Sequence, residues 1–176
     1  MRSEQLEAIA QEIAAATAQG VSHPQLQPLA RYLDEVRKVL WMDMAFVSQF
    51  VGDRRVFALV SAAGDDPPVA PGQSHPLLDT YCKRIVDGTL PRLIADVSAV
   101  PEAARLPITH ELQIGCYLSA PIVLSDGTAF GLLCCFSHAM RPDLRQSDVD
   151  ALEAVGRAIA ASVDRHGGLT SNLTFG

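Results

Sequence analysis

Residues 115–138 read GCYLSAPIVLSDGTAFGLLCCFSH, and the order of apolar and turn residues in this stretch decides the fold. Two runs rich in β-branched and aromatic residues, Cys116 to Leu124 and Ala129 to Phe136, flank Ser125-Asp126-Gly127. A short polar turn between two such runs predicts an antiparallel hairpin. The second run is apolar at consecutive positions, so both of its faces are buried and it belongs in the centre of a sheet.

Working towards the amino terminus, Leu93 to Ala95 predicts a short strand, and residues 100–112 an irregular or helical crossing. Residues 64–76, GDDPPVAPGQSHP, contain four prolines and two glycines and predict an exposed loop long enough to act as a lid. A short helix is expected from about Pro76 to Val86, with either Pro76 in its first turn or Asp79 as its cap, ending at Asp87-Gly88. Before the loop, the period-two pattern from Met44 to Val51, the turn Gly52-Asp53 and the run Val56 to Ala62 predict a first hairpin.

Both ends of the chain read as helices. Leu6, Ile9, Ile13 and Ala16 recur at helical spacing over residues 4–18, as do Leu26, Leu29, Leu33, Val36 and Leu40 over 25–40, with Gly20 and Pro24 between. The first helix has a narrow apolar seam that calls for a partner, as an appendage or against a second copy of the chain. At the carboxyl end Ser147 and Asp150 have capping-box spacing, and Val149, Leu152, Val155, Ile159 and Val163 continue a helix to His166 and Gly167-Gly168. The organisation that follows is residues 1–40 as packing and dimerisation helices, 41–166 as the domain core with its terminal helix, and 167–176 as a mobile tail. Strands interrupted by short covering elements define an α+β fold built on an antiparallel sheet.

Composition narrows the function. The net charge is -6, and adjacent basic residues are few, among them Arg54-Arg55 and Lys83-Arg84, the first read as a surface feature after a turn. There is no basic field for nucleic acid, and no apolar run long enough to span a bilayer or act as a leader, so a cytoplasmic protein with neither partner is expected. Cys82, Cys116, Cys134 and Cys135 have no C-x-x-C spacing, which argues against a disulfide framework or a metal site. Phosphate-loop, dinucleotide, nucleophile-elbow and zincin motifs are absent.

The ordered set MDMAFVSQF, LPRLIADV and the 115–138 hairpin, followed by a helix near Asp148, resembles the GAF domains, sensor modules of signalling proteins. The resemblance spans about Leu33 to Val163 and implies a GAF-like central antiparallel sheet between terminal helices on one face and short helices and loops on the other. It also implies a small-molecule pocket on that second face, homodimerisation through the terminal helices, and an output protein as partner. Strand alternation with the family's orientation places Phe46, Ser48, Tyr117, Ser119, Leu132, Cys134 and Phe136 on the pocket side. His75, at the end of the lid, and His110, on the crossing, are candidates to enter the pocket, and Tyr81 and Cys82 to line it.

Cys82 is the one candidate catalytic residue, because an early helical position beside Lys83 and Arg84 lowers a thiol pKa. The opposing reading is a small core residue. The cofactor is not identified by the sequence. Where some GAF domains attach a bilin through cysteine, this chain has Ala104 followed by Arg105, and Phe136 stands where a pigment-contacting histidine is found, so a covalent bilin is not expected. Asn172 is the sole asparagine, which removes the cyclic-nucleotide motif. The function expected is a non-catalytic sensor that binds a small molecule and signals through helix packing. A thiol redox enzyme of the sulfoxide-reductase kind, with Cys116 or Cys134 resolving Cys82, and a dimerisation scaffold are the alternatives.

Overall fold

A computed structural model describes residues 1–18 and 26–166. The expected break at Gly20 and Pro24, the stop at Gly167-Gly168 and the tail lie outside the described residues. Helices α1 (Arg2–Ala18) and α2 (Leu26–Leu40) precede strands β1 (Met44–Val51) and β2 (Arg54–Ala62). A short strand β3 (Ser74–Pro76), helix α3 (Tyr81–Val86) and strand β4 (Leu93–Ile94) follow, then the short helices α4 (Pro101–Ala104) and α5 (Pro107–Glu111). Strands β5 (Cys116–Val123) and β6 (Ala129–Ser137) lead to α6 (Gln146–His166).

The six strands form one antiparallel sheet in the order β3-β2-β1-β6-β5-β4. The apolar strand β6 lies at its centre, as its two-faced burial requires, and the edge strands are only three and two residues long. Short edges leave little unpaired backbone for another chain to extend.

Alternation along β1, β5 and β6 divides the core in two. Ala45, Val47, Leu118, Ala120, Leu133 and Cys135 face α1, α2 and α6. Phe46, Tyr117, Leu132, Cys134 and Phe136 face α3, α4 and α5. The exception is in β2, where Ala58 has no partner between the pairs Val47 with Leu59 and Ser48 with Phe57. This bulge puts Phe57 on the α3 side along with Val60, although an unbroken strand would send them to opposite faces.

Of the two arrangements open to the α1 seam, packing within the chain is the one seen, with Leu6, Ile9 and Ile13 buried against α6 and α2. Two local expectations are corrected. Helix α3 starts later than either Pro76 or Asp79 allows. Pro76 belongs to β3 and residues 77–79 make a 3-10 turn, while the Thr80 hydroxyl caps α3 by accepting from Lys83 N at 3.3 Å and donates to Leu77 O at 2.7 Å. The lid is consequently shorter than residues 64–76, because its last three residues pair with β2 and Val69 is buried in the core. Replacing Thr80 by alanine is expected to cost about 1 kcal/mol, read in urea unfolding, because an N-cap acceptor is lost.

At α6 the expected box at Ser147 and Asp150 gives way to Asp148, whose carboxylate accepts from Arg145 N at 2.8 Å. It is buried and also bound by Arg2 Nη2 at 3.1 Å, an ion pair that ties α1 to the start of α6.

Candidate functional site

The face of the sheet opposite α1 and α6 is covered by α3, α4, α5 and the segment leading into β5. Between them lies a cavity of about 10 Å³ lined by Phe46, Arg55, Thr80, Tyr81, Ile108, Leu112, Ile114, Tyr117 and Phe136. That is space for a single water. The Tyr81 and Tyr117 rings lie 4.5 Å apart, and the Tyr81 hydroxyl meets Thr109 Oγ1 at 2.5 Å, fixing α3 to α5.

Arg55 was expected on the surface and is 3% exposed. Its guanidinium stacks 4.0 Å above the Phe57 ring and lies 5.6 Å from that of Phe46. One Nη meets His75 Nδ1 at 2.9 Å and the other lies 3.9 Å from Cys82 Sγ, while Nε has no partner. No carboxylate of the described residues forms an ion pair with it. A signal for this burial was present in the sequence: Arg55 and Phe57 are two residues apart on one strand, hence on one face.

Cys82 is fully buried and sits in a polar cluster: Ser48 Oγ at 3.6 Å, Tyr117 Oη at 4.0 Å, the Arg55 guanidinium and the Cys134 thiol. The neighbouring Cys134 thiol, with Arg55, Ser48 and Tyr117 behind it, outweighs burial and holds the Cys82 thiol below its ordinary range. Burial and the neighbouring Cys82 push Cys134 well up, and burial does the same to Tyr117. The cations that act on Cys82 are not those expected. Lys83 pairs with Asp87 at 2.6 Å, and Arg84 bonds Leu78 O and Thr80 O, so the charge comes from Arg55 on β2.

The remaining candidates separate. Ser48 bonds locally, accepting from Leu132 N at 3.1 Å and donating to Leu132 O at 3.3 Å. Ser119 is buried on the same side and its hydroxyl has no partner. Tyr117, Cys134 and Phe136 are where alternation placed them, and Tyr81 and Cys82 join them from α3. His75 reaches the site through Arg55, with its pKa lowered first by burial and then by that cation. His110 does not reach it: the residue is exposed, and its neighbour Thr109 turns inward instead. Cys116 and Cys135 lie on the opposite face, against α1, α2 and α6, which leaves Cys134 as the thiol beside Cys82. The described residues hold no group of three or more metal-ligating side chains, and no described helix is long and apolar enough to cross a membrane.

Comparison with known proteins agrees with this architecture. The bilin-bound GAF domain of a cyanobacterial phytochrome superposes with a TM-score of 0.73 at 15% identity, over 92% of this chain and 96% of that one. The free methionine-R-sulfoxide reductase from Neisseria meningitidis gives 0.72 at 14% identity, over 95% and 93%. A fragment of a methyl-accepting chemotaxis protein gives 0.68 at 20% identity, over 88% and 96%. No curated protein matches the sequence. The GAF-domain family model matches residues 26–163, from α2 to the last turns of α6, and with that match over a sheet of this topology the chain belongs to the GAF domain family.

Proposed function

We propose that the domain is a cytoplasmic sensor whose pocket between the sheet and α3 to α5 takes a small organic anion, a carboxylate in the first instance, with Arg55 as its counter-charge. The observation that carries this reading is a buried guanidinium with a free Nε and no carboxylate among the described residues to neutralise it. An unpaired charge removed from water costs several kcal/mol, and stacking on Phe57 and Phe46 offsets about 2 of them. The partnerless Ser119 hydroxyl adds a second polar atom on the same side of the sheet.

The pocket has room for little more than a water, so a larger organic anion enters only as α3 to α5 move outward. That movement has a direct route to the other face. Phe46 and Val47, Tyr117 and Leu118, and Cys134 and Cys135 are neighbours on three strands, with one of each pair under the pocket and the other under α2 and α6. Binding biases helix packing only as far as the anion prefers one arrangement. In this reading the terminal helices meet a second copy of the chain through their outer faces, and an output protein reads the change.

Native mass spectrometry of the gently purified protein, with NMR titration by acetate, benzoate and neutral benzamide, tests the reading. A retained anion, or shifts at Tyr81 and Tyr117 with the carboxylates alone, supports it. A bare chain that answers no carboxylate, or answers benzamide equally, overturns it. Arg55→Met is expected to weaken carboxylate binding by about a hundredfold, as loss of a charge-assisted contact does, while leaving thermal stability equal or higher.

A further inference from the structure

Arg55 and His75 face each other as a direct cross-strand pair of β2 and β3, so their side chains leave the sheet on one side. Arg55 Nη2 lies 2.9 Å from His75 Nδ1, and the imidazole ring stands edge-on to Phe57 at 5.7 Å. A guanidinium only donates, so Nδ1 is the acceptor in this contact. The ring is therefore neutral, with its one proton on Nε2. A protonated ring carries N–H at both nitrogens and cannot hold the bond.

The nitrogen that His75 occupies is the one an anion needs. A carboxylate that grips a guanidinium with two parallel bonds uses Nη2 whichever edge it takes, Nε with Nη2 or Nη1 with Nη2. Nε has no partner and Nη1 has the Cys82 sulfur at 3.9 Å, so among the described residues His75 is the close partner with which an anion shares Arg55. His75 is half-buried on an edge strand of three residues, which lets its ring turn towards water once protonated. Burial first, and then Arg55, lower the pKa of the ring below 6.5. Arg54 on β2 adds to them, while Glu111 on α5 and Asp79 in the turn before α3 oppose them. An anion at Arg55 shifts that balance, because it offsets the nearest cation.

Building on the anion reading of Arg55, we propose that His75 makes the site proton-gated. Neutral, it occupies Nη2 and holds the guanidinium closed; protonated, it releases Nη2, and the carboxylate binds more tightly as pH falls. The sign follows from linkage. The empty site favours the neutral ring and the filled site the charged one, and this coupling is reciprocal, so the anion raises the pKa of His75 by the same factor by which protonation tightens the anion. The domain thus takes up a carboxylate together with a proton, and answers a weak organic acid most strongly in acidified surroundings.

NMR of the His75 ring, with benzoate titrations at a series of values from about pH 8 to pH 5, tests the gate over the range in which imidazole changes charge. In the ligand-free domain the ring is expected to carry its proton on Nε2. Saturating benzoate is expected to raise the His75 pKa by about one unit, matched by binding about tenfold tighter to the protonated form than to the neutral one. His75→Gln keeps an acceptor that does not titrate and is expected to bind benzoate without pH dependence; the shift of the wild-type ring decides even where this variant fails to fold. A ligand-free ring protonated on Nδ1 overturns the proposal whether or not benzoate binds. Equal affinity at both ends of the range, or a pH dependence that survives His75→Gln and so belongs to Cys82 on the other side of Arg55, overturns the gate and leaves the anion reading standing. Absence of benzoate binding at every pH, with the proton on Nε2 as expected, overturns the anion reading and the gate with it.

Discussion

Gly131→Ala is expected to lower the unfolding free energy by about 3 kcal/mol, the upper part of the range for overpacking a buried site. Gly131 lies in β6, and a Cβ built on it falls inside the contact distance of the Ser48 carbonyl oxygen and carbon, with the Gln49 Cα next to them. Each of these is a backbone atom, so no side chain can rotate out of the way. Relief requires β1 to move off β6 where the regular pairing of the two strands stops at Val47 and Leu133, and where the Ser48 side chain bonds Leu132 instead. The methyl therefore also disturbs Ser48, one of the groups around Cys82. Urea unfolding measures the loss, and a change below about 1 kcal/mol means that β1 is free to shift, contrary to the close packing of its backbone on β6.

Asp148→Ala is expected to cost about 3 kcal/mol, because one side chain serves two ends of the fold. Its carboxylate is the acceptor for Arg145 N at the start of α6 and the buried partner of Arg2 Nη2 on α1. Alanine leaves the amide without its acceptor and the guanidinium with Asp143 alone, at a position in contact with solvent. Hydrogen exchange separates the two losses. Amides of α1 are expected to exchange faster together with those of the first turn of α6, whereas β6 stays protected until global unfolding. Unchanged exchange in α1 would show that Leu6, Ile9 and Ile13 hold that helix without help from the ion pair.

The legible parts of this chain are those in which several residues repeat one physical statement. The 115–138 hairpin and the central place of β6 follow from a turn triplet and a doubly apolar run, and α2 and α6 from a helical period sustained over several turns. The period of two, taken with the orientation that the family resemblance implies, puts Phe46, Tyr117, Leu132, Cys134 and Phe136 on one face of the sheet, where they are found. The segments too short to repeat anything were harder. Pro76, Asp79 and Thr80 are all credible starts for a helix of six residues, and only the hydroxyl of Thr80 reaches the free amide. In α5, five residues long, no period distinguishes His110 from Thr109, and the inward position fell to the residue whose hydroxyl meets Tyr81. Arg55 was missed for a different reason. The turn at Gly52-Asp53 set it outside the expected run from Val56, whereas the strand begins at Arg54 and gives Arg55 the same face as Phe57. The pairing of Arg55 with Cys82 joins residues 27 apart, and no local pattern encodes it.

The unpaired Ala58 makes β2 a strand of two parities. From Arg54 to Phe57 the odd-numbered positions point into the pocket, and beyond the bulge Val60 and Ala62 show that the even-numbered ones do. Loss of Ala58 would bring the whole strand into a single phase and leave every other side chain on its present layer, with Phe57, Val60 and Ala62 on the pocket side and Leu59 under the helices. The bulge is thus the one place where β2 can lose a residue, whereas a deletion elsewhere in the strand puts part of it out of phase with the layer it serves.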